Sequence, residues 1–423
     1  ASAGTSNVRI GVNAGNSIAS GGNENTLVGD EAGTAITTGI RNVIVGYLAG
    51  DALTDADENI AIGKSALSLD TLGSRSIAIG KSALANQNFT TATNSYNVAL
   101  GYEAGKAITT GNQNTLIGSL AGDALTSGTQ NVALGYNALN SDTLGTASVA
   151  LGRSALGAQN FTTATNAFNV AIGYTAGAAV TTGVNNTLIG ASAGDALTDA
   201  DANVAIGQAA LSTDTLGSQS VAIGASALES QNFTTATNSL NTAVGTAAGA
   251  SVTTGIENTF IGGLAGDALT AVFYNVALGA KALSSDTLGS RSIAIGRSAL
   301  QNQNFTTATN TYNSAVGYAA GNAVTTGVRN TLIGAQAGDA LTTGNNNTAL
   351  GFNTLTTDTL GDRNVAIGSQ ALQTQNFTTS VDSYNTAVGF NAGGVVTTGL
   401  QNTLIGGLAG DALTTGGANV AVG

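Results

Sequence analysis

The sequence predicts an all-β fold, a parallel β-solenoid (β-roll or β-helix) of about 24 coils. Three observations predict it: a 72-residue super-repeat, its division into coils of 17 or 21 residues, and a Gly at one fixed point of every coil. The super-repeat is read from the string NTLIG, which begins at Asn114, Asn186, Asn330 and Asn402, with the related NTFIG at Asn258 and NVIVG at Asn42. Within it, Asn97, Asn114, Asn131, Ser148 and Asn169 each open a segment of the form N-x-x-(I/L/V)-G, at steps of 17, 17, 17 and 21. Units this short cannot hold a helical hairpin and match one solenoid coil.

Each part of the coil carries its own signal. The runs V-A-I, V-A-L and T-L-I are short β-type strands closed by Gly, while TTG and DTLG are turn-like. Pro is absent, as unbroken ladders require, and so is the Asn-Gly pair that marks tight hairpins. The opening residue is Asn in 20 of 24 segments, and Ser76, Ser148, Ser220 and Ser292 are the rest. A side-chain ladder through Asn97, Asn114, Asn131 and Ser148 is expected, each amide meeting its equivalents above and below. Gly stands four residues after every opening residue, as at Gly101, Gly118, Gly135 and Gly152. That implies positive φ or a backbone approach that a Cβ would block. Ala stands seven after it, as at Ala104, Ala121, Ala138 and Ala155, with Thr354 the one exception, and implies a tight inward site. The 21-residue step carries an insert such as Gln159–Asn166, whose Phe161 is expected to tuck against the side of the stack. The inserts recur every fourth coil, so they should form a ridge with about 19 Å between members.

The composition agrees and excludes. Hydrophobic residues make up 42% but aromatics only 4%, which suits a thin stacked core. With 24 acidic against 12 basic residues, the net charge of −12 repels phosphate backbones, so nucleic acid is not an expected partner. No apolar run reaches the length of a membrane span. Zero Cys removes disulfides and thiolate chemistry, and zero His removes the commonest general base and metal ligand. No unique acidic pair interrupts the repeat, as a glycosidase site would; no enzyme activity and no cofactor are expected. Met is absent, so Ala1 is expected to follow a cleavage or the chain to be a segment of something longer. With no composition shift along the chain, residues 1–423 are expected to form one continuous solenoid, on the order of 110 Å long at ~4.8 Å per coil.

The N-V-A-I-G phrase followed by x-x-A is similar to the head repeats of trimeric autotransporter adhesins. The longer TTGxxNTLIGxxAG phrase resembles repeats of bacteriophage tail fibres and related bacterial surface fibres. The resemblance covers essentially the whole chain, with coils longer than the compact adhesin repeat. It implies an extracellular structural fibre, a phage tail fibre shaft first and a bacterial surface adhesin or filament second. It also implies a parallel homotrimer and a cell-surface glycan or protein receptor as the target of display.

The remaining candidates are weighed on their residues. Asp51, Asp123, Asp195, Asp267, Asp339 and Asp411 recur every 72 residues, as do Asp70, Asp142, Asp214, Asp286 and Asp358. Both rows are read as exposed turn residues, with calcium as the remote alternative. Denser acidic turns lie at Asp55, Asp57 and Glu58 and at Asp199 and Asp201. Asn88, Asn160, Asn232, Asn304 and Asn376 match a glycosylation sequon, read as fortuitous. Thr109–Thr110 and Thr181–Thr182 raise ice binding, but two of the four coil types lack the pair. Phe273 and Tyr274 break the pattern of their sister coils and are a candidate surface contact.

An oligomer interface is expected along the first strand. In Asn131-Val132-Ala133-Leu134-Gly135, Val132 and Leu134 point one way and Ala133 the other. Neither side is polar, whereas the two residues after the Gly, as in Tyr136-Asn137, vary freely and read as a solvated second strand. The middle position holds Leu116, Leu188, Phe260, Leu332 and Leu404 in one coil of four. Read as an exposed row, these would form a sticky stripe, and they are the expected trimer contact.

Overall fold

A computed structural model describes residues 4–423. It is all-β, a parallel β-solenoid of about 24 coils, with no helix among the described residues. The chain forms two compact units, one ending at Ala209 and the other Ala210–Gly423. Each contains twelve three-residue strands, one per coil. In the first unit, Val132–Leu134 pairs in parallel with Thr115–Ile117 on one side and Val149–Leu151 on the other. In the second, Val276–Leu278 does the same with Thr259–Ile261 and Ile293–Ile295. Register is strict, Ala133 facing Leu116 and Ala150, because a one-residue slip would turn every core side chain outward.

Each coil has only this one long strand. The segment after the Gly, expected to be a second strand, is a run of turns. Asn137 at φ 55° and Leu139 at φ 51° both reverse the chain. Left-handed residues other than Gly are uncommon. Here they are held by the stack, since Asn137 N–H donates to Ser119 O at 3.2 Å and Leu139 N–H to Ala155 O at 3.0 Å. A further two-residue pair, Gly145–Thr146 with Thr165–Asn166, ties each insert to the coil before it.

The core is thin and built by exchange of volume between positions. In the coil of Ala133 the residue after the invariant Ala is Leu139, and Ala133 and Leu139 are both fully buried. Where it is Leu116, the corresponding residue is Gly122. A Cβ on Gly122 would lie 2.9 Å from Leu116 Cδ2, and one on Gly105, a coil earlier, 2.7 Å from its Cδ1. Leu116 therefore occupies room that two glycines vacate. This overturns the expected oligomer contact: Leu116, Leu188, Phe260, Leu332 and Leu404 are all 0% exposed and lie in the core of their own chain. The alternation along the strand is as read, but its direction is reversed. Val132 and Leu134 face outward, Leu134 at 47% exposure.

Gly101, Gly118, Gly135 and Gly152 have φ of 146°, 133°, 141° and 132°. A Cβ on Gly135 would also stand 2.5 Å from Gly152 O, so conformation and close approach both demand glycine. Ala104, Ala121, Ala138 and Ala155 are fully buried. Thr354, which replaces the Ala in its coil, is buried too and donates its hydroxyl to Gly368 O at 2.8 Å.

Candidate functional site

The buried polar groups form a continuous system. Asn131 N–H donates to Asn114 Oδ1 at 3.0 Å, and Asn114 N–H to Asn97 Oδ1 at 2.9 Å. The amide Nδ2 of Asn131 donates to Gly145 O, closing its own coil at 2.9 Å. The ladder thus runs chiefly from side-chain oxygen to backbone N–H, with an amide-to-amide contact from Asn114 to Asn97 at 3.2 Å. Ser148 receives the ladder, its N–H donating to Asn131 Oδ1 at 2.9 Å, but has no amide to pass on. Gln159 of the insert takes over. Its Nε2 donates to Ser148 Oγ at 3.0 Å, and its Oε1 accepts from Asn169 Nδ2 at 3.0 Å.

The second Asp row belongs to this system, correcting its reading as exposed turns. Asp70, Asp142, Asp214, Asp286 and Asp358 are all 0% exposed. Asp142 Oδ2 accepts from Gln159 Nε2 at 2.6 Å, and its Oδ1 from the N–H groups of Gly145 at 3.0 Å and Phe161 at 3.2 Å. One carboxylate therefore pins the root of the insert, and Phe161 lies buried beside it. Asn160, at the insert's sequon, is exposed and accepts from Thr143 Oγ1 at 3.0 Å.

The first Asp row is partly buried except at Asp411, which is exposed as expected. Burial is the leading cause that pushes the carboxyls of Asp51, Asp123, Asp195, Asp267 and Asp339 above the ordinary range. In four of them, Asp51, Asp123, Asp267 and Asp339, Oδ1 has no hydrogen-bond partner. No three metal-ligating side chains converge among the described residues. In the acidic turns, Asp57 and Asp201 accept from the backbone N–H of Ile40 and Val184 at 2.8 and 2.7 Å. The Thr109 and Thr181 hydroxyls donate to backbone carbonyls of the following coil.

These aspartates set a pH dependence. A raised folded-state pKa means the folded chain holds protons that the unfolded chain has released. Stability then falls as pH rises from the ordinary carboxylate value near ~4 through the raised values. Glu58, held below the usual range by hydrogen bonds from Arg75 and Arg41, loses its contribution only at still lower pH. Lowering pH from 7.5 toward ~4 should therefore raise the melting temperature by roughly 2 °C, a small shift because these groups are partly solvated. Asp123→Asn with Asp267→Asn should flatten the profile. A melting temperature that drops over this interval would contradict the assignment.

The outward face of the strands presents exposed apolar residues in both units. On it lie the first and third strand residues, with the residue before the opening Asn on one margin and the residue after the Gly on the other. In the first unit the first margin is an alternating charge ladder. Arg41 bridges Glu24 at 3.1 Å and Glu58 at 3.2 Å, and Arg75 meets Glu58 at 2.9 Å. The second margin stacks cations on rings, with Lys81 5.3 Å from Tyr102 and Arg153 5.9 and 5.7 Å from Tyr136 and Tyr174. In the second unit, Phe273 and Tyr274 stand on the first margin, 39% and 45% exposed. Arg291 lies 5.5 Å over Tyr274 and donates to Tyr312 Oη at 2.8 Å. Neighbouring Val272 is fully buried, so the break in pattern adds one core residue and presents two rings to solvent. Between the margins run exposed Leu100, Leu134 and Ile172 in the first unit, and Ile261, Leu278 and Leu350 in the second. Comparison with known protein families, curated proteins and solved structures found no match.

Proposed function

We propose that this chain is a shaft segment of an extracellular fibre, with a phage tail fibre as its setting, which gives reach and displays an adhesive surface. In this reading it works mechanically and performs no catalysis. It assembles as a parallel homotrimer through the outward face of its strands. The observation that carries the reading is that face. Its central rows are Val, Ile, Leu and Thr in coil after coil, although the core is already filled by other residues. A long apolar stripe on a lone chain is a liability. Against copies of itself, whose rows repeat at the same spacing, it becomes a regular contact. The resemblance to trimeric fibre repeats supplies the number three and the extracellular setting.

Sedimentation of the intact chain tests this. At micromolar concentration it should run at three times the monomer mass. Leu100→Glu, Leu134→Glu and Ile172→Glu together should reduce it to monomer while the far-ultraviolet spectrum stays that of a β protein. A monomeric parent chain, or a triple variant that keeps its mass, sinks the reading.

A further inference from the structure

In the second unit, the margin that follows the Gly contains a depression of about 400 Å³, lined by Thr246, Gly263, Leu264, Ala280, Lys281 and Arg297. Its origin is visible in the repeat. The residues corresponding to Thr246 and Ala280 are Tyr102 and Tyr136 two super-repeats earlier, and Tyr174 and Gln208 one super-repeat earlier. One super-repeat later they are Tyr318 and Phe352. Here both rings are missing at once, with Gly263 between them; a Cβ added there would meet nothing within 4 Å. The coil path is preserved, since Lys281 N–H still donates to Gly263 O at 3.0 Å.

The surrounding cations change with the rings. Arg153 is the counterpart of Arg297, and it lies between Tyr136 and Tyr174 at 5.9 and 5.7 Å. Arg297 has Ala280 where Arg153 has Tyr136. Its side chain makes no ion pair, side-chain hydrogen bond or ring contact among the described residues. The counterpart of Lys281 is neutral Asn137. Lys281 also has no ion pair, although it opposes the upward shift that burial imposes on the Asp267 carboxyl. Two of only 12 basic residues, in a chain of net charge −12, thus flank a hollow floored by Leu264 and Ala280.

We propose that this depression binds a small aromatic carboxylate. The ring takes the place that Tyr136 holds in the sister repeat, on Leu264 and Ala280 and against the Arg297 guanidinium. The carboxylate meets Lys281 and the free edge of Arg297. The volume is at the small end of ligand sites and admits one substituted ring. The site lies at the margin of the face proposed for assembly, and sedimentation of the same sample reports the assembly separately from binding.

Titration of the intact chain with 4-hydroxyphenylacetate, followed by saturation-transfer NMR and calorimetry, tests the proposal. Saturable binding is expected with a dissociation constant of about 1 mM or below. Ala280→Tyr restores the sister repeat's ring and should abolish it. Lys281→Asn should weaken binding about tenfold, as should the neutral probe 4-hydroxyphenylacetamide. Binding that does not saturate by about 10 mM, that survives Ala280→Tyr, or that is equally tight for the amide overturns the assignment. Should Ala280→Tyr fold poorly, the Lys281→Asn variant and the amide probe still decide it.

Discussion

Gly135→Val is expected to break the coil stack locally, at a cost of roughly 4 kcal/mol. Two independent penalties combine. The backbone at φ 141° is one that β-branched residues avoid. The new Cβ would also stand 2.5 Å from Gly152 O and 2.7 Å from Gly152 C, which belong to backbone and cannot swing away. Moving the next coil off would stretch the bond from Gly152 N–H to Leu134 O, now 2.8 Å. Repeat proteins need not unfold in one step. The readout is therefore amide exchange along the flanking coils as well as the urea midpoint. Protection should fall around Asn131–Gly152 first. Gly407 is the matched control, because a Cβ there meets nothing within 4 Å and its φ is not in the left-handed region. Gly407→Ala should change stability by less than about 0.5 kcal/mol. If Gly135→Val melts like the parent, the close approach of consecutive coils is not a constraint.

Asp142→Ala should cost about as much, through a different mechanism. The carboxylate accepts from Gly145 N–H, Phe161 N–H and Gln159 Nε2 inside the chain. Alanine leaves the two backbone N–H groups and one N–H of the Gln159 amide buried without an acceptor, at about 1–3 kcal/mol each. Gln159 then loses its anchor while still serving Ser148 and Asn169. The damage should concentrate in the insert, so limited proteolysis near Phe161 is the sensitive measurement. Asp142→Asn keeps one carbonyl for the two backbone donors and should fall between. Its amide then faces the Gln159 amide, and relief by flipping Gln159 would break the bond from Asn169. An alanine variant within about 0.5 kcal/mol of the parent, with an uncleaved insert, would show that the carboxylate does not hold the insert down.

The two Asp rows show where reading the chain stops. Both recur every 72 residues in turn-like strings, and a turn Asp is ordinarily exposed. What separates them is the insert. Gln159 and Phe161 return over Asp142 and exclude water, whereas nothing comparable covers Asp123, which remains half-buried. A hint was present in the coincidence of Asp142, Ser148 and Gln159 within every insert-bearing repeat but the last, where Asn364 replaces the Ser. Their joint recurrence is the mark of a network, though spacing alone does not show which atoms meet. Phe273 and Tyr274 were legible as an anomaly because a repeat supplies its own reference. The hollow at Thr246 and Ala280 carries no such mark, because the residue after the Gly varies from coil to coil.

What the sequence by itself determined is the architecture. The coil length, the alternation along the first strand, the obligatory Gly and the Asn ladder all follow from periodicity, since a stacked fold must place like residues over like. What only the tertiary structure decided is direction. A strand with small apolar residues on both sides has no amphipathic signal to say which side is core. The decision rests on packing between coils, where Gly105 and Gly122 open the space that Leu116 fills. That complementarity couples residues in different coils and different parts of the turn. It turns Leu116 inward and leaves Leu134 on the surface, because the core closes only when the two volumes match.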